Sequence, residues 1–162
     1  MSEINTNRSF IKTVLTPWKL NLFFLKKLPM AFLAGIKLSH LNEKEATVTM
    51  KYKWLNTNPF QSVYFACLQM AAEFSTGIIC MAYLKGSNAK MSILVLENRA
   101  KFQKKAVGKL RFHCTNGLNI KKAIEESIST GEGRTVEALS IGTNEKGEQI
   151  GEFYFTWTFK PK

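Results

Sequence analysis

Residues 56–73 hold the densest set of groups capable of chemistry: Asn-Thr-Asn-Pro-Phe-Gln-Ser-Val-Tyr-Phe-Ala-Cys-Leu-Gln-Met-Ala-Ala-Glu. A turn rich in Asn and Pro leads into a helical stretch that is apolar around most of its circumference and carries one carboxylate, Glu73. A helix that apolar must be enclosed by other elements. An enclosed carboxylate is costly to ionise, which makes Glu73 a candidate for chemistry and not a solvated decoration. Ser62, Gln69, Glu73 and Thr76 recur at near-helical spacing, with Ala66 completing the row, and form one narrow polar stripe. A purely structural Glu73, bonded to a neighbouring backbone group or to Lys or Arg, is the competing reading. Asn58 suits a turn before Pro59. Gln61 and Ser62 suit caps of the following helix.

The rest of the chain supplies the enclosure. Gly35 to Leu41 reads as a strand. Lys44 to Trp54 alternates cleanly, with Ala46, Val48, Met50, Tyr52 and Trp54 on one face and Glu45, Thr47, Thr49, Lys51 and Lys53 on the other. The helix is expected over Ser62 to Leu84, ended by Gly86, with Gly86-Ser-Asn-Ala as a loop. Met91 to Ala106 reads as a long strand with Leu94, Leu96, Ala100 and Phe102 on one face, interrupted by Asn98. Residues 105 to 108 turn it into a strand from Gly108 to Thr115. Asn119 caps a second helix, Ile120 to Thr130, whose apolar side is Ile120, Ala123, Ile124 and Ile128. Arg134 to Thr143 and Gln149 to Lys160 form a hairpin across Asn144-Glu-Lys-Gly147, and Phe153, Phe155, Trp157 and Phe159 share a face of its second strand. Residues 8 to 34 read as one or two short helices broken at Pro17 and Pro29. The expected division is an N-terminal helical segment, 1–34, packing on a domain over 35–162. A mostly antiparallel sheet curled around one long helix satisfies every apolar face, which gives an α+β class.

Composition narrows the function classes. The 162 residues make one domain with a real core. A net charge of +11 favours acidic partners, among them a phosphorylated cofactor, nucleic acid or an anionic membrane, without choosing between them. No recognition helix or RNA-binding motif supports the nucleic-acid class. Cys67 and Cys80 would lie about 20 Å apart along one helix, too far to bridge. His40 and His113 are separate in sequence and read as strand residues with local partners. Reduced thiols, no metal site and a cytoplasmic setting follow. Leu20–Leu25 and Pro29–Ala34 are too short to span a bilayer, and Glu3 with the polar start does not resemble a signal peptide. Trp18 to Leu28 suits either a basic amphipathic helix on a membrane surface or a piece packed over its own domain.

The arrangement resembles the hotdog fold of acyl-CoA thioesterases and dehydratases over roughly residues 35 to 160. In the subclass similar to phenylacetyl-CoA and 4-hydroxybenzoyl-CoA thioesterases, an Asn, a short loop and His-Gly-Gly precede an acidic residue inside the helix. With Glu73 on that acid, Asn58 falls on the Asn with no gap, and Tyr64-Phe65-Ala66 stands in place of His-Gly-Gly. Asn-Pro-Phe-Gln-Ser before the helix and Ala-Ala-Glu within it look closer to an uncharacterised thioesterase-like family of unknown function.

The resemblance implies hydrolysis of an acyl-CoA or acyl-carrier thioester, with coenzyme A only as part of the substrate and no separate cofactor. It implies Glu73 as base or nucleophile, Asn58 orienting water or substrate, and N–H groups near Tyr64 and Phe65 polarising the carbonyl. Tyr64 would donate a hydrogen bond where the family uses His. Gln69 would hold the carboxylate, and Gln61, Met70 and Phe74 join the substrate-binding candidates, with Ile93 and Leu94 as further slot residues. Lys101, Lys104, Lys105, Lys109 and Arg111 suit coenzyme A phosphates or a solvated sheet edge. A homodimer or dimer of dimers with shared sites is expected. The alternative function is a non-catalytic module that binds an acyl chain or lipid.

Overall fold

Strand alternation and one long apolar helix build the architecture directly. The computed structural model describes residues 4–87 and 89–162, so Glu3 and Asn88 lie outside the described residues. The elements are α1 (Arg8–Val14), α2 (Pro17–Lys27), α3 (Pro29–Ala34), β1 (Lys37–Leu41), β2 (Ala46–Lys51), a 3-10 turn (Trp54–Asn56), α4 (Phe65–Ser87), β3 (Met91–Phe102), β4 (Lys109–Cys114), α5 (Gly117–Thr130), β5 (Arg134–Asn144) and β6 (Gln149–Pro161). The strands form one antiparallel sheet in the order β1-β2-β4-β5-β6-β3. This is the α+β arrangement expected, a six-stranded sheet packed on the long central helix α4.

The sheet's inner face is apolar because alternate residues point one way. Ala46, Val48 and Met50 of β2, Leu110, Phe112 and Cys114 of β4, and Phe153, Phe155, Trp157 and Phe159 of β6 are all buried. Each enclosed aromatic ring contributes about 2–3 kcal/mol. Small residues on α4, among them Ala71, Ala72 and Ala82, are buried and let strands approach. Ser75 Oγ lies 2.7 Å from both the Ala72 carbonyl oxygen and the Ser140 hydroxyl of β5, so the polar atoms at this crossing are satisfied. α4 is long and apolar enough by length and composition to cross a membrane, yet most of it is buried by the rest of the fold. Its outer side is closed by the N-terminal helices, where Phe24 of α2 meets Phe74 edge-on at 5.0 Å between ring centroids.

Several expectations need correction. β2 stops at Lys51, and Trp54 sits in the 3-10 turn, 84% exposed. Buried Asn56 explains the break. Its Oδ1 accepts from Lys53 N, and its Nδ2 donates to the Ala34 and Lys51 carbonyls, drawing the chain out of the sheet. α4 begins at Phe65 and not at Ser62, because the Ser62 N–H and hydroxyl are taken by Asn58. It runs through Gly86 to Ser87. Gly86 serves close approach instead of termination, since a Cβ there would collide with the Asn5 carbonyl oxygen. β3 ends at Phe102, and residues 105–108 do not join a β3–β4 hairpin, for β3 lies at the opposite edge beside β6. A register shift between Val95 and Glu97 reverses the phase of β3. Ile93 and Val95 are half-buried, Leu94 and Leu96 are exposed, and Asn98 then pairs with Phe155 of the inner face. α5 starts at Gly117, and Ser127 is buried where Ile128 is exposed. The Ser127 hydroxyl bonds to the Phe159 and Glu132 carbonyls, which holds that face inward.

Candidate functional site

Glu73 lies on α4 where the helix faces β6. A fixed chain of hydrogen bonds sets the facing: Trp157 Nε1 donates to Thr76 Oγ1 at 2.9 Å, and Thr76 Oγ1 donates to the Glu73 carbonyl at 2.9 Å. The missing side chain of Gly77 leaves room beside the carboxylate. A Cβ there would come 3.1 Å from Glu73 Oε1 and 3.2 Å from the Trp157 ring. Among the described residues no donor or cation meets the Glu73 carboxylate. Burial alone therefore pushes its pKa up from 4.5 to about 7.

Gln69 precedes Glu73 by one turn. Its Nε2 approaches Asn98 Oδ1 at 3.4 Å, while its buried Oε1 has no partner among the described residues. Asn98 was legible only as an interruption in β3. The bulge turns it into a polar neighbour of the α4 stripe.

The loop before α4 is rigidly built. Asn58 Oδ1 accepts from Phe60 N at 2.9 Å and from Ser62 N and Ser62 Oγ, each at 3.2 Å; its Nδ2 reaches the Val63 carbonyl at 3.4 Å. The carboxamide is thus engaged within its own turn, the work Asn performs well before Pro. Gln61 is exposed and holds φ +56°, an uncommon left-handed conformation for a non-glycine residue. The Tyr64 N–H donates to the Asn56 carbonyl at 2.8 Å. Among the described residues, the Phe65 and Ala66 N–H groups that follow have no acceptor. They are the free donors at the positive end of the α4 dipole.

Aromatic residues mark the entrance. A cleft of about 420 Å³ is lined by Asn58, Phe60, Tyr64, Phe65, Phe102, Lys104 and Lys105, among others. Edge-to-face contacts run inward from Tyr64 to Phe65, Phe102, Phe153 and Phe112 at 4.9, 6.3, 5.6 and 5.6 Å between successive centroids. Phe65 remains 53% exposed. Met70 is partly buried, while Phe74 is in the core against Phe24 and away from this cleft's lining.

The basic cluster divides. Lys104 and Lys105 line the cleft, with Lys104 paired to Glu148 at 2.6 Å, whereas Lys109 and Arg111 belong to a separate depression on β4. Elsewhere, His40 and His113 converge on Glu45 at 3.3 and 3.5 Å. Among the described residues no three His, Cys, Asp or Glu side chains are grouped to hold a metal. Cys67, Cys80 and Cys114 are free thiols.

Residues 16–158 match the family described as a domain of unknown function, DUF4442. The chain belongs to the DUF4442 family. Solved structures share this DUF4442 fold over nearly the whole chain. A protein of unknown function from Chlorobaculum tepidum is 15% identical, with a TM-score of 0.75 and coverage of 92% of this chain and 99% of its own. A protein of unknown function from Pseudomonas aeruginosa, described as a probable thioesterase, is 18% identical, with a TM-score of 0.72 and coverage of 90% and 97%. A thioesterase from Haemophilus influenzae is 16% identical, with a TM-score of 0.67 and coverage of 90% and 91%. No curated protein matches. The DUF4442 chain therefore has a thioesterase-like hotdog fold.

Proposed function

We propose that this DUF4442 protein hydrolyses an acyl thioester of coenzyme A or of an acyl carrier, with Glu73 as the general base. The observation that carries the reading is an unpaired, desolvated carboxylate with a pKa of about 7 on the central helix of a thioesterase-like fold. A base poised near 7 is ionised often enough to act and basic enough to take a proton.

Glu73 removes a proton from water, and the oxygen attacks the thioester carbonyl carbon. The carbonyl oxygen becomes an oxyanion, for which the free Phe65 and Ala66 N–H groups are the donors. Collapse breaks the carbon–sulfur bond, and the thiolate leaves with the proton held by Glu73. Lys105 and Lys104 at the cleft supply positive charge for the phosphates of a coenzyme A or carrier arm.

Eight residues separate Phe65 from Glu73, about 12 Å along a helix. That is too far for one carbonyl group to use both within a protomer. We therefore assign a homodimer through the unpaired edge of β3, with the donors of one protomer serving the Glu73 of the other. The reduced thiols and this reaction suit the cytoplasm, which we take as the compartment.

The test is thiol release from short, medium, long and aromatic acyl-CoAs by wild type, Glu73→Ala and Glu73→Gln. Wild-type turnover that falls about 100-fold or more in folded variants supports the base. Turnover unchanged in both variants removes Glu73 from the reaction. The aromatic cleft, with Phe65 where the enzymes have Gly, favours a second reading as an acyl-binding module. Fatty ligand retained without turnover selects it.

A further inference from the structure

The N-terminal helices have two apolar faces, and the fold uses only one. Leu20 and Phe24 of α2 and Ala31 and Ala34 of α3 are buried against the domain. On the opposite side of α2, Trp18, Leu22 and Leu25 follow at spacings of four and three, so they share a stripe. Trp18 is 64% exposed and Leu25 53%. Leu28, Met30 and Leu33 continue the exposed apolar surface onto α3. Scattered exposed apolar residues need no explanation, but a continuous stripe on adjacent helices does.

Charge indicates what covers it. Between residues 4 and 42 the cations are Arg8, Lys12, Lys19, Lys26, Lys27 and Lys37, with no Asp or Glu. Among the described residues, Lys19, Lys26 and Lys27 have no acidic partner. Lys19 lies 5.5 Å from the Trp18 ring centroid, at the border of the stripe. An apolar stripe with an aromatic residue, bordered by unpaired lysines, matches a bilayer interface with anionic headgroups: acyl tails meet Trp18 and the leucines, and the lysines meet phosphate.

Position supports a membrane over a second copy of the chain. α2 packs beside β1, and β1 is at the far edge of the sheet from β3. A dimer formed along β3 leaves this face open. The face also adjoins the loop before α4, because Asn56 binds the Ala34 carbonyl at the end of α3 through its side chain and the Tyr64 N–H through its own carbonyl. Exposed Trp54 and Leu55 lie in that connection.

We propose that the outer face of α2 and α3 docks this protein on the surface of an anionic bilayer, next to the entrance of α4. The exposed stripe and its lysines stand apart from the thioester reaction; only the preference for a bilayer over a second copy rests on the dimer proposed above.

The experiment is co-sedimentation of the full chain with phosphatidylcholine vesicles, with and without phosphatidylglycerol. A protein of net charge +11 binds anions through any face, so the decisive variant keeps the charge: Trp18→Ser with Leu25→Ser. Both side chains point outward, and unchanged thermal unfolding verifies the fold. The expected result is binding to the anionic vesicles that weakens at least about tenfold in the double variant. In a Trp54→Phe background the other fluorophore is buried Trp157, so the Trp18 signal is the difference from the same background carrying Trp18→Phe; that difference emission shifts to the blue and is quenched by acyl chains carrying bromine. No vesicle binding, equal binding by the double variant, or binding without change at Trp18 each overturns the proposal. So does a double variant that turns a dimer into a monomer with vesicle binding intact, which would make the face a contact between copies.

Discussion

Ionising Glu73 places a negative charge beside Gly77 and Trp157 with no cation among the described residues to meet it. This residue therefore ties reaction and stability to pH in opposite senses. As base it must be ionised, so kcat/KM should rise with pH through about 7 and level off above, a limb absent from any residual rate of Glu73→Gln. For stability, the folded protein holds the proton up to about 7, while the unfolded chain releases it near 4.5. The contribution is full below 4.5 and is lost as pH rises through the folded value. Glu73→Gln should then be more stable than wild type at pH 8, by up to about 3 kcal/mol, and differ far less at pH 5. Urea unfolding at the two pH values measures this; an equal difference at both would remove burial as the cause. Asn58 gives a separate prediction. Its Oδ1 holds three donors of the turn, so Asn58→Ala should lose about 1–3 kcal/mol of stability. Asn58→Asp keeps that acceptor and should retain most of it. Loss of activity in a stable Asn58→Asp would assign the Nδ2 group a role beyond the turn.

At the scale of elements, one buried side chain joins three of them. Asn56 links the end of α3, the end of β2 and the 3-10 turn, and its carbonyl anchors the start of α4. Asn56→Ala leaves the Lys51 and Ala34 carbonyls and the Lys53 N–H without their partner. Chemical denaturation should show a loss of about 2–4 kcal/mol, with faster proteolysis near residues 53–60 as the local sign. In the sequence Asn56 shows only as part of a turn, because burial of a polar residue depends on what folds over it. The same limit explains the other differences. Alternation made β2, β4 and β6 legible, and the apolar circumference of α4 made its enclosure legible. The bulge in β3 was not, since one extra residue reverses every later side chain while leaving the composition of the strand unchanged. Glu73 stood out as the carboxylate of an apolar helix. Asn98 became a neighbour of Gln69 only through that bulge.

For the whole molecule, the dimer prediction can be separated from the prediction of catalysis. Phe65 is the first residue of α4, a position where proline fits a helix while deleting the backbone N–H. Phe65→Pro should remove an oxyanion donor and leave α4 intact. Phe65→Ala, which keeps the N–H, controls for loss of the ring. Glu73→Ala removes the base. Alone, Glu73→Ala should be inactive, and Phe65→Pro, which leaves the Ala66 N–H in place, should fall about 100-fold or more. If donor and base come from different protomers, a heterodimer of the two chains contains one site with both groups intact and one with neither. Random pairing makes about half the dimers heterodimers, so coexpression at equal levels should restore about a quarter of wild-type turnover. If both groups come from one protomer, every site in the mixture lacks one of them, and no activity returns. Light scattering on the same samples establishes the dimer. Leu94→Glu with Leu96→Glu on the exposed side of β3 should shift it toward monomer, and turnover should fall with the dimer fraction even though Glu73 and Phe65 are untouched. A monomer with full turnover would sink the shared site, and with it the assignment of the Phe65 and Ala66 N–H groups as the donors that work with Glu73, because one carbonyl group cannot use two groups about 12 Å apart along α4.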